Sequence, residues 1–404
     1  MQIWPATGRV SFAGTVELDV PVQFSMIENP EGTLAFLSKL RDVVVSPKVS
    51  RIKLNHKTCE HTDLCASVLM DVLLINGQSH WRRTRQSVVI EGNMPNKDHP
   101  LHVLLVNSGV VAHLVKPVNI PSELTAGIKT FKLVKGGKTS PLKSARKEVI
   151  ATELAAYFDG CLRTMGFQLK APAQGLLTSI VSEVLDNAEL HGNADGKWYA
   201  IGYFNPNAAN AVDSSCHIVL FNFGDTLHQT LKRSPKLRKR MAELADIQNG
   251  PWWNFSTKFK ESTIWSLFAL QEGVSRLSDD PNEIGRGSGT VDMIEFFHQL
   301  SGGEQRMCVV SGDAYILNDG TFKPGKDSQN NTVLAFNADN DLSKPPDSRF
   351  VRALERSFPG TLISLRFPFN REHLEKLSLE AIAASDSEAG LKPLVVYYDG
   401  TQKA

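Results

Sequence analysis

The sequence has few cysteines and no long apolar run. Its 404 residues include five cysteines, scattered and odd in number, which is typical of a reducing compartment rather than of a disulfide-stabilised secreted domain. The most apolar stretch, His102–Val115, is too short to span a bilayer and contains polar residues. The first residues lack the basic and then apolar pattern of a signal peptide. We therefore expect a cytoplasmic protein without a membrane partner.

An excess of charge of either sign is also absent. Lys and Arg together number 44 and Asp and Glu number 43, so the formal net charge is +1. Such a chain has no global field that recruits nucleic acid or anionic lipid. The locally basic run Lys232–Arg240 is interpreted as a solvated helix face. We expect no nucleic-acid partner. A hydrophobic content of 42% predicts a folded chain, and 404 residues are enough for two or three domains.

Strand and helix patterns alternate along the first part of the chain. Near-alternating apolar residues predict a strand or hairpin over Val10–Val22, and an apolar stripe predicts a helix over Glu31–Val45. A short strand at Arg51–Leu54 precedes a helix over Asp63–Leu74, for which Asp63 is the expected N-cap. This alternation predicts a small α/β domain over residues 1–128.

A basic segment is predicted to separate two domains. Residues 129–147 combine seven Lys and Arg side chains with Gly136, Gly137 and Pro141, and they predict a solvated linker. A second α/β domain is predicted over residues 148–370, followed by a C-terminal extension over 371–404.

A helix predicted over Gln174–His191 carries a carboxylate and an amide on one face. Glu183 and Asn187 are four residues apart, so their side chains lie one turn apart on the same side. An amide oxygen suits Mg²⁺, and a carboxylate can accept a proton from an attacking hydroxyl or water. The pair indicates a magnesium-nucleotide site, with an ordinary amphipathic helix as the alternative.

Two further segments place glycines where a nucleotide can approach the backbone. An apolar strand at Ile218–Phe221 is followed by Asn222, Gly224 and Asp225, so a polar side chain and a glycine meet at its end. The segment Gly285-Arg286-Gly287-Ser288-Gly289 precedes an apolar helix and can offer backbone N–H groups to phosphates. Taken alone, each segment is also typical of a turn.

In their order along the chain, these segments resemble the sequence boxes of the GHKL family of ATPases. Val181–Gly192 resembles the N-box and is closest to that of bacterial anti-sigma-factor serine kinases. Asn222–Leu227 and Gly285–Gly289 resemble the two glycine boxes, and Pro359–Thr361 resembles the terminal glycine-threonine box. The resemblance extends over residues 141–370. It implies an α/β sandwich in which a mixed sheet packs against helices.

The resemblance also implies a role for each matched residue. Glu183 would be the general base and Asn187 the ligand of Mg²⁺. Asn222 would bind the adenine of ATP with help from Thr361. The phosphates would lie along the second glycine box beneath a mobile lid between Asp225 and Gly285; the box residues are Gly285, Arg286, Gly287, Ser288 and Gly289.

One departure from the family pattern concerns the base. The family has Asp where this chain has Asn222, and a neutral hydrogen bond contributes about 0.5–1.5 kcal/mol against about 1.5–3 kcal/mol with a charged partner. We therefore expect weaker or less adenine-selective binding. Asp225, after a local register shift, is the alternative adenine-binding residue.

Residues 10–125 weakly resemble a STAS domain, the fold of anti-sigma-factor antagonists. Leu64 and Cys65 stand where that family carries its phosphate-accepting serine, and Thr62 and Ser67 are the alternative acceptors. A zinc site is another hypothesis for this region, with His56, Cys59, His61 and Cys65 as ligands. These residues form one ten-residue cluster that lies half on a helix, which is a poor arrangement for tetrahedral coordination.

The resemblance implies a Mg-ATP-binding regulatory protein that phosphorylates a protein partner or binds it in an ATP-dependent way. Two alternatives are an ATP-hydrolysing conformational switch, of the heat-shock chaperone and MutL kind, and a non-catalytic interaction scaffold. The sequence leaves open whether the chain is a kinase or an ATPase, which protein is its partner, and whether it forms a homodimer.

Overall fold

Among its described residues, the first part of the chain combines a small parallel sheet with three helices. The computed structural model describes residues 4, 11–96, 99–109, 125–138, 143–192, 196–207, 214–233, 238–239, 259–271, 289–326, 331–383 and 394–397. In chain order the first elements are Ala13–Asp19 (β1), Gln23–Phe24 (β2), Pro30–Val45 (α1), Lys48–Asn55 (β3), His61–Thr62 (β4), Leu64–Thr84 (α2), Val89–Asn93 (β5) and Pro100–Ser108 (α3). β3 pairs in parallel with β1 and β5, and β2 pairs with β4.

Capping and packing residues set the bounds of α2. The Asp63 side chain accepts a hydrogen bond from the Ala66 amide at 2.7 Å, which confirms the predicted N-cap. The helix does not end at Leu74 as expected but continues to Thr84. The buried Trp81 explains the extension, because its indole N–H donates to the Val44 carbonyl of α1 at 2.7 Å.

The second part of the chain contains the central sheet. Its elements are Lys129–Gly136 (β6), Lys143–Thr164 (α4), Phe167–Leu169 (β7), Ala171–His191 (α5), Trp198–Phe204 (β8), Cys216–Phe223 (β9), Leu227–Lys232 (α6), Glu261–Ala269 (α7), Gly289–Ser301 (α8), Arg306–Asn318 (β10), Gly325–Lys326 (β11), Thr332–Val333 (β12), Val351–Phe367 (β13), Arg371–Ala383 (α9) and Val395–Tyr397 (β14). The five-stranded sheet has the order β10-β13-β9-β8-β6. The α/β class is confirmed, but each neighbouring pair in this sheet is antiparallel, whereas a mixed sheet was expected.

The segments predicted to be a linker and an extension are parts of this fold. Residues Lys129–Gly136 form the edge strand β6, in which Phe131 is buried between exposed lysines. Lysines on an edge strand discourage pairing with another chain, which accounts for the basic composition without a linker. At the other end, Leu374 of α9 and Val395 of β14 are fully buried, and β14 pairs with β7.

Helices cover both faces of the central sheet. Along β9, Ile218 and Leu220 belong to the hydrophobic cluster that includes α4, α5 and α8. The alternate residues Val219 and Phe221 belong to a second cluster, which includes α1, α2 and β3. The first half of α2, Leu64–Leu74, is buried on all sides and packs in the second cluster with residues of β3 and of the central sheet. Among the helices that the structure describes, none has both the length and the apolar character needed to cross a membrane.

Candidate functional site

A row of four side chains crosses the central sheet near the end of β9. The strand register places Trp198 opposite Asn222, Asn222 opposite Thr361, and Thr361 opposite Ser311. Leu220, two residues before Asn222, packs in the cluster formed with α4, α5 and α8, so the row faces these helices. Asn222 and Thr361, the residues expected to bind the base, are therefore neighbours on the face that α5 covers.

The polar atoms of this row are only partly paired. The hydroxyl groups of Thr361 and Ser311 are 2.8 Å apart, and the Ser311 hydroxyl accepts a hydrogen bond from the Leu227 amide at 2.8 Å. Asn222 is 2% exposed, yet its Nδ2 has no hydrogen-bond partner among the residues that the structure describes. The same holds for Nε1 of the buried Trp198. A buried donor without a partner costs about 1–3 kcal/mol, which indicates a position where a ligand could supply an acceptor.

Glycines allow the backbone segments of the site to approach closely. Gly360 has φ +154°, and a Cβ there would lie 2.1 Å from the carbonyl oxygen of Asn222. The amide of Gly224 donates to the Pro359 carbonyl at 3.1 Å, and Gly224 also forms a β-bridge with Gly192, just after α5. The end of the N-box helix therefore meets the end of β9 and the start of the glycine-threonine segment.

The helix α5 places Glu183 and Asn187 on a half-buried face. Its apolar positions, among them Leu177 and Val181, are buried in the cluster below the sheet. The same spacing that buries these residues orients Glu183 and Asn187 together, as predicted from their separation by one turn.

Lys147 of α4 pairs with two acidic residues of α5. Its amino group pairs with the Glu189 carboxylate at 2.7 Å and also with Asp186. Burial alone would lower the pKa of Lys147, but its hydrogen bonds to the two carboxylates outweigh burial and raise the pKa. This ion pair leaves less negative charge beside the face that would receive an anionic nucleotide.

The start of α8 lies against Glu183. A Cβ added to Gly289, the first residue of α8, would be 3.0 Å from Cδ of Glu183 and 3.1 Å from its Cβ and Cγ. The last glycine of the second glycine box therefore packs on the expected general base. The other predicted residues of that box, Gly285, Arg286, Gly287 and Ser288, lie outside the described residues.

Asp225 is held by an ion pair on the surface. Its Oδ1 accepts a hydrogen bond from Nη2 of Arg233 at 2.7 Å, and its other oxygen pairs with Nη1. Thr226, which replaces the last glycine of the first box, is the N-cap of α6 and forms a capping box with Gln229. A cavity of about 390 Å³ opens here, lined in part by Gly224, Thr226 and Ser311.

Only part of the expected lid lies among the described residues. Within the interval from Asp225 to Gly285, α6 and α7 pack together through the buried side chains of Leu231, Ile264, Trp265 and Phe268. Lys232 of the basic run pairs with Glu261 at 3.0 Å, so this charge is neutralised within the chain. Residues 234–237, 240–258 and 272–288 lie outside the described part.

The predicted magnesium ligand is a single amide oxygen, that of Asn187. No group of three or more His, Cys, Asp or Glu residues in the described ranges is arranged to hold a metal. Mg²⁺ commonly takes one or two protein oxygens and completes its shell with phosphates and water, so the single amide oxygen of Asn187 is compatible with this role. The zinc alternative is wrong for the described residues His56, Cys59, His61 and Cys65.

Neither of the two candidate acceptor hydroxyls at the strand-to-helix junction before α2, those of Thr62 and Ser67, is exposed. The Oδ2 atom of Asp63 accepts hydrogen bonds from the Ser25 hydroxyl at 2.6 Å and the Ile27 amide at 3.1 Å, so this carboxylate is a buried cap. Thr62 is 9% exposed and Ser67 is 1% exposed. Both alternative phosphate acceptors are therefore buried in the folded chain.

Three residues around the site were not predicted as functional: Lys147, Trp198 and Ser311. Lys147 was assigned to the linker, although it continues the helical pattern of α4. Trp198 and Ser311 enter the site through strand register across the sheet, for which the sequence contains no local signal.

Comparisons with known proteins provide no relative. No family model matches the chain, and searches of curated proteins and of solved structures give no significant match. The function is therefore proposed from the residues and the geometry of the site.

Proposed function

We propose that the chain is a Mg-ATP-binding regulatory protein of the anti-sigma-factor kinase type. The nucleotide would bind between α5, the start of α8 and the end of β9. With it bound, the protein would phosphorylate a protein partner or bind that partner in an ATP-dependent way. The free, buried state of all five cysteines supports a cytoplasmic location as part of the same proposal.

The convergence of four distant sequence segments is the observation that carries this proposal. Gly289 packs on Glu183, Thr361 pairs with Asn222 across two strands, and Gly192 bridges to Gly224. Burial of the core brings these four segments to one end of the central sheet, on the face that α5 covers. A single ligand in this position would contact all four segments, and small-molecule sites are places where a few polar groups converge.

Each residue near the site has a chemical role in the proposal. The Glu183 carboxylate would accept a proton from the attacking hydroxyl or water, and the Asn187 oxygen would hold Mg²⁺. When bound, Mg²⁺ would neutralise charge on the nucleotide phosphates. Asn222 is favoured over Asp225 as the base-binding residue, because Asp225 is engaged by Arg233 whereas Nδ2 of Asn222 lacks a partner among the described residues.

Burial of the hydroxyls at the N-terminal junction supports a separate protein as phosphate acceptor. Leu64 and Cys65 cannot accept a phosphate as a serine does, and both are fully buried. Thr62 and Ser67 are buried as well. Phosphorylation of Thr62 or Ser67 would require the junction to open, which costs free energy. Phosphorylation of a separate protein does not require this opening.

The proposal is tested with γ-labelled ATP and Mg²⁺, using the wild-type protein and Glu183→Ala. Glu153→Ala is the matched control, because Glu153 is exposed on the neighbouring helix α4. We expect equilibrium binding of ATP by all three proteins. Label should transfer to an added partner, or be released as phosphate, with wild type and the control but not with Glu183→Ala.

The outcomes separate the alternatives. Release of phosphate without a labelled protein indicates an ATP-hydrolysing switch, and binding without turnover indicates ATP-gated association with a partner. Absence of ATP binding in the wild-type protein contradicts the proposal and leaves an interaction scaffold.

A further inference from the structure

We infer that this site binds 6-oxopurine nucleotides, such as those of guanine or hypoxanthine, about as well as ATP. The inference rests on the proposed function, because it concerns the base that the same site accepts. It follows from the chemistry of Asn222 and from the absence of any described partner for its amide nitrogen.

Asn222 stands at the buried end of the site with an unused donor. Its side chain is 2% exposed, and Nδ2 has no hydrogen-bond partner among the described residues. Its neighbour Thr361 is hydrogen-bonded to Ser311 on the side away from Asn222, since Thr361 lies between the two in the strand order. No described hydrogen bond therefore fixes which way the Asn222 amide is turned.

A side-chain amide is complementary to both kinds of purine edge. Adenine presents an amine donor at position 6 beside an acceptor at N1, and a 6-oxopurine presents an acceptor at O6 beside an N1–H donor. A side-chain amide presents a C=O acceptor and an N–H donor side by side, so it can form two hydrogen bonds with either edge after turning by half a rotation. A carboxylate has acceptors alone, so at position 6 it accepts from the adenine amine but opposes O6 of a 6-oxopurine, with no proton between the two oxygens.

Asp225, the acidic residue nearest to Asn222 in the sequence, is already engaged by another residue. Asp225 lies three residues further along the chain, but both of its oxygens are paired with Arg233. A 6-oxopurine therefore meets no free carboxylate from this segment. The row contributes the Asn222 amide and a neutral Thr361 hydroxyl, which can donate or accept.

The experiment compares ATP with inosine triphosphate, which differs from ATP only at the edge that Asn222 would contact. Each nucleotide competes with a fluorescent ATP analogue for the full-length protein in the presence of Mg²⁺. For the wild-type protein we expect the two dissociation constants to agree within about fivefold. Asn222→Asp should prefer ATP by about tenfold or more, because at position 6 the carboxylate still accepts from the adenine amine but opposes O6 of hypoxanthine.

Asn318→Asp is the matched control. Asn318 is also 2% exposed, but it lies at the end of β10, where its Oδ1 accepts a hydrogen bond from Gln305. A carboxylate there should lower the thermal stability without changing the ratio of the two dissociation constants.

A wild-type protein that binds ATP but binds inosine triphosphate more than about fivefold more weakly overturns the inference and leaves the proposed function intact. If the wild-type protein binds neither nucleotide, the proposed function fails and the inference fails with it. The wild-type ratio decides the question even if Asn222→Asp does not fold.

Discussion

The space at Gly289 determines where the carboxyl group of Glu183 can lie. A methyl group at position 289 would be 3.0 Å from Cδ of Glu183, which is closer than ordinary van der Waals contact. We predict that Gly289→Ala displaces the carboxylate by a few tenths of an ångström or more. Because proton transfer depends on position, the single-turnover rate with labelled ATP should fall about tenfold to a hundredfold, with a smaller change in ATP affinity.

Gly160→Ala is the control for this prediction. Gly160 lies inside α4, and a Cβ there would meet no atom within 4 Å. Its rate should equal that of the wild-type protein. A Gly289→Ala variant with an unchanged rate would contradict the assignment of Glu183 as general base.

The buried side chain of His56 makes the free energy of unfolding depend on pH. It is 2% exposed, and burial lowers its pKa from 6.5 to about 4. Above pH 6.5 the imidazole is neutral in both the folded and unfolded chain, so stability is not reduced. Between these pKa values the unfolded chain binds a proton that the folded chain does not, and the unfolding free energy should fall by on the order of 3 kcal/mol as the pH decreases from 6.5 to 4.

Urea unfolding of wild type and His56→Leu over this pH range checks the prediction. The unfolding free energy of the variant should fall less than that of the wild-type protein as the pH decreases. Any fall that arises from carboxyl groups should be the same in both proteins. Parallel curves for the two proteins would show that the buried imidazole does not contribute.

At the scale of elements, the contact of β13 with β9 depends on Gly360. Its φ is +154°, and a side chain would lie 2.1 Å from the Asn222 carbonyl oxygen. We predict that Gly360→Ala lowers the unfolding free energy by at least about 3 kcal/mol, since the two strands must separate or distort. Nucleotide binding should weaken in the same variant, because Asn222 and Thr361 are positioned by this strand pair.

For a glycine inside α5 we expect the opposite effect of substitution, an increase in stability. Gly175 is inside the helix, and a Cβ there would have no neighbour within 4 Å. Gly175→Ala should therefore stabilise the protein by about 0.5–1 kcal/mol. Chemical denaturation of both variants measures the contrast, and equal effects of the two substitutions would contradict the packing argument.

Local patterns predicted the helices α1, α2 and α5 and the central strand β9, and the failures have identifiable causes. The sequence also predicts two separate strands at Arg306–Val310 and Ala314–Leu317, but these residues form the single strand β10, whose pairing with β13 shifts register around Gly312. Gly312 has φ +61°, a conformation suited to glycine at an irregularity of this kind. β6 was missed because lysines between its apolar residues are typical of both a linker and an edge strand.

At the scale of the whole molecule, the two predicted domains share a hydrophobic cluster. Phe221 and Leu362 of the central sheet pack in the same cluster as residues of α1 and α2. The Tyr315 hydroxyl donates to the Ile27 carbonyl at 2.5 Å, and Glu28 accepts hydrogen bonds from Arg306 at 2.8 Å and from Arg366 at 2.9 Å. The first part of the chain therefore covers an apolar face of the sheet.

We predict that a fragment of residues 129–404 does not fold to a stable monomer. Without α1 and α2, one face of the central sheet would expose its buried aromatic and aliphatic side chains, and Arg366 would lose Glu28. Binding of a hydrophobic dye, sedimentation and thermal unfolding of the fragment test this expectation against the full chain. A soluble fragment with a cooperative transition and no dye binding would indicate that the two parts fold independently.

The sequence by itself determined the features that depend on neighbours within a few positions. Helical periodicity brought Glu183 and Asn187 to one face, and Asp63 in front of an apolar helix predicted its N-cap. Only the tertiary structure decided that Asn222 lies between Trp198 and Thr361 and that Gly289 packs on Glu183. Periodicity is a local property of the backbone, whereas strand register and helix packing depend on side chains far apart in the sequence, whose combined burial selects one arrangement.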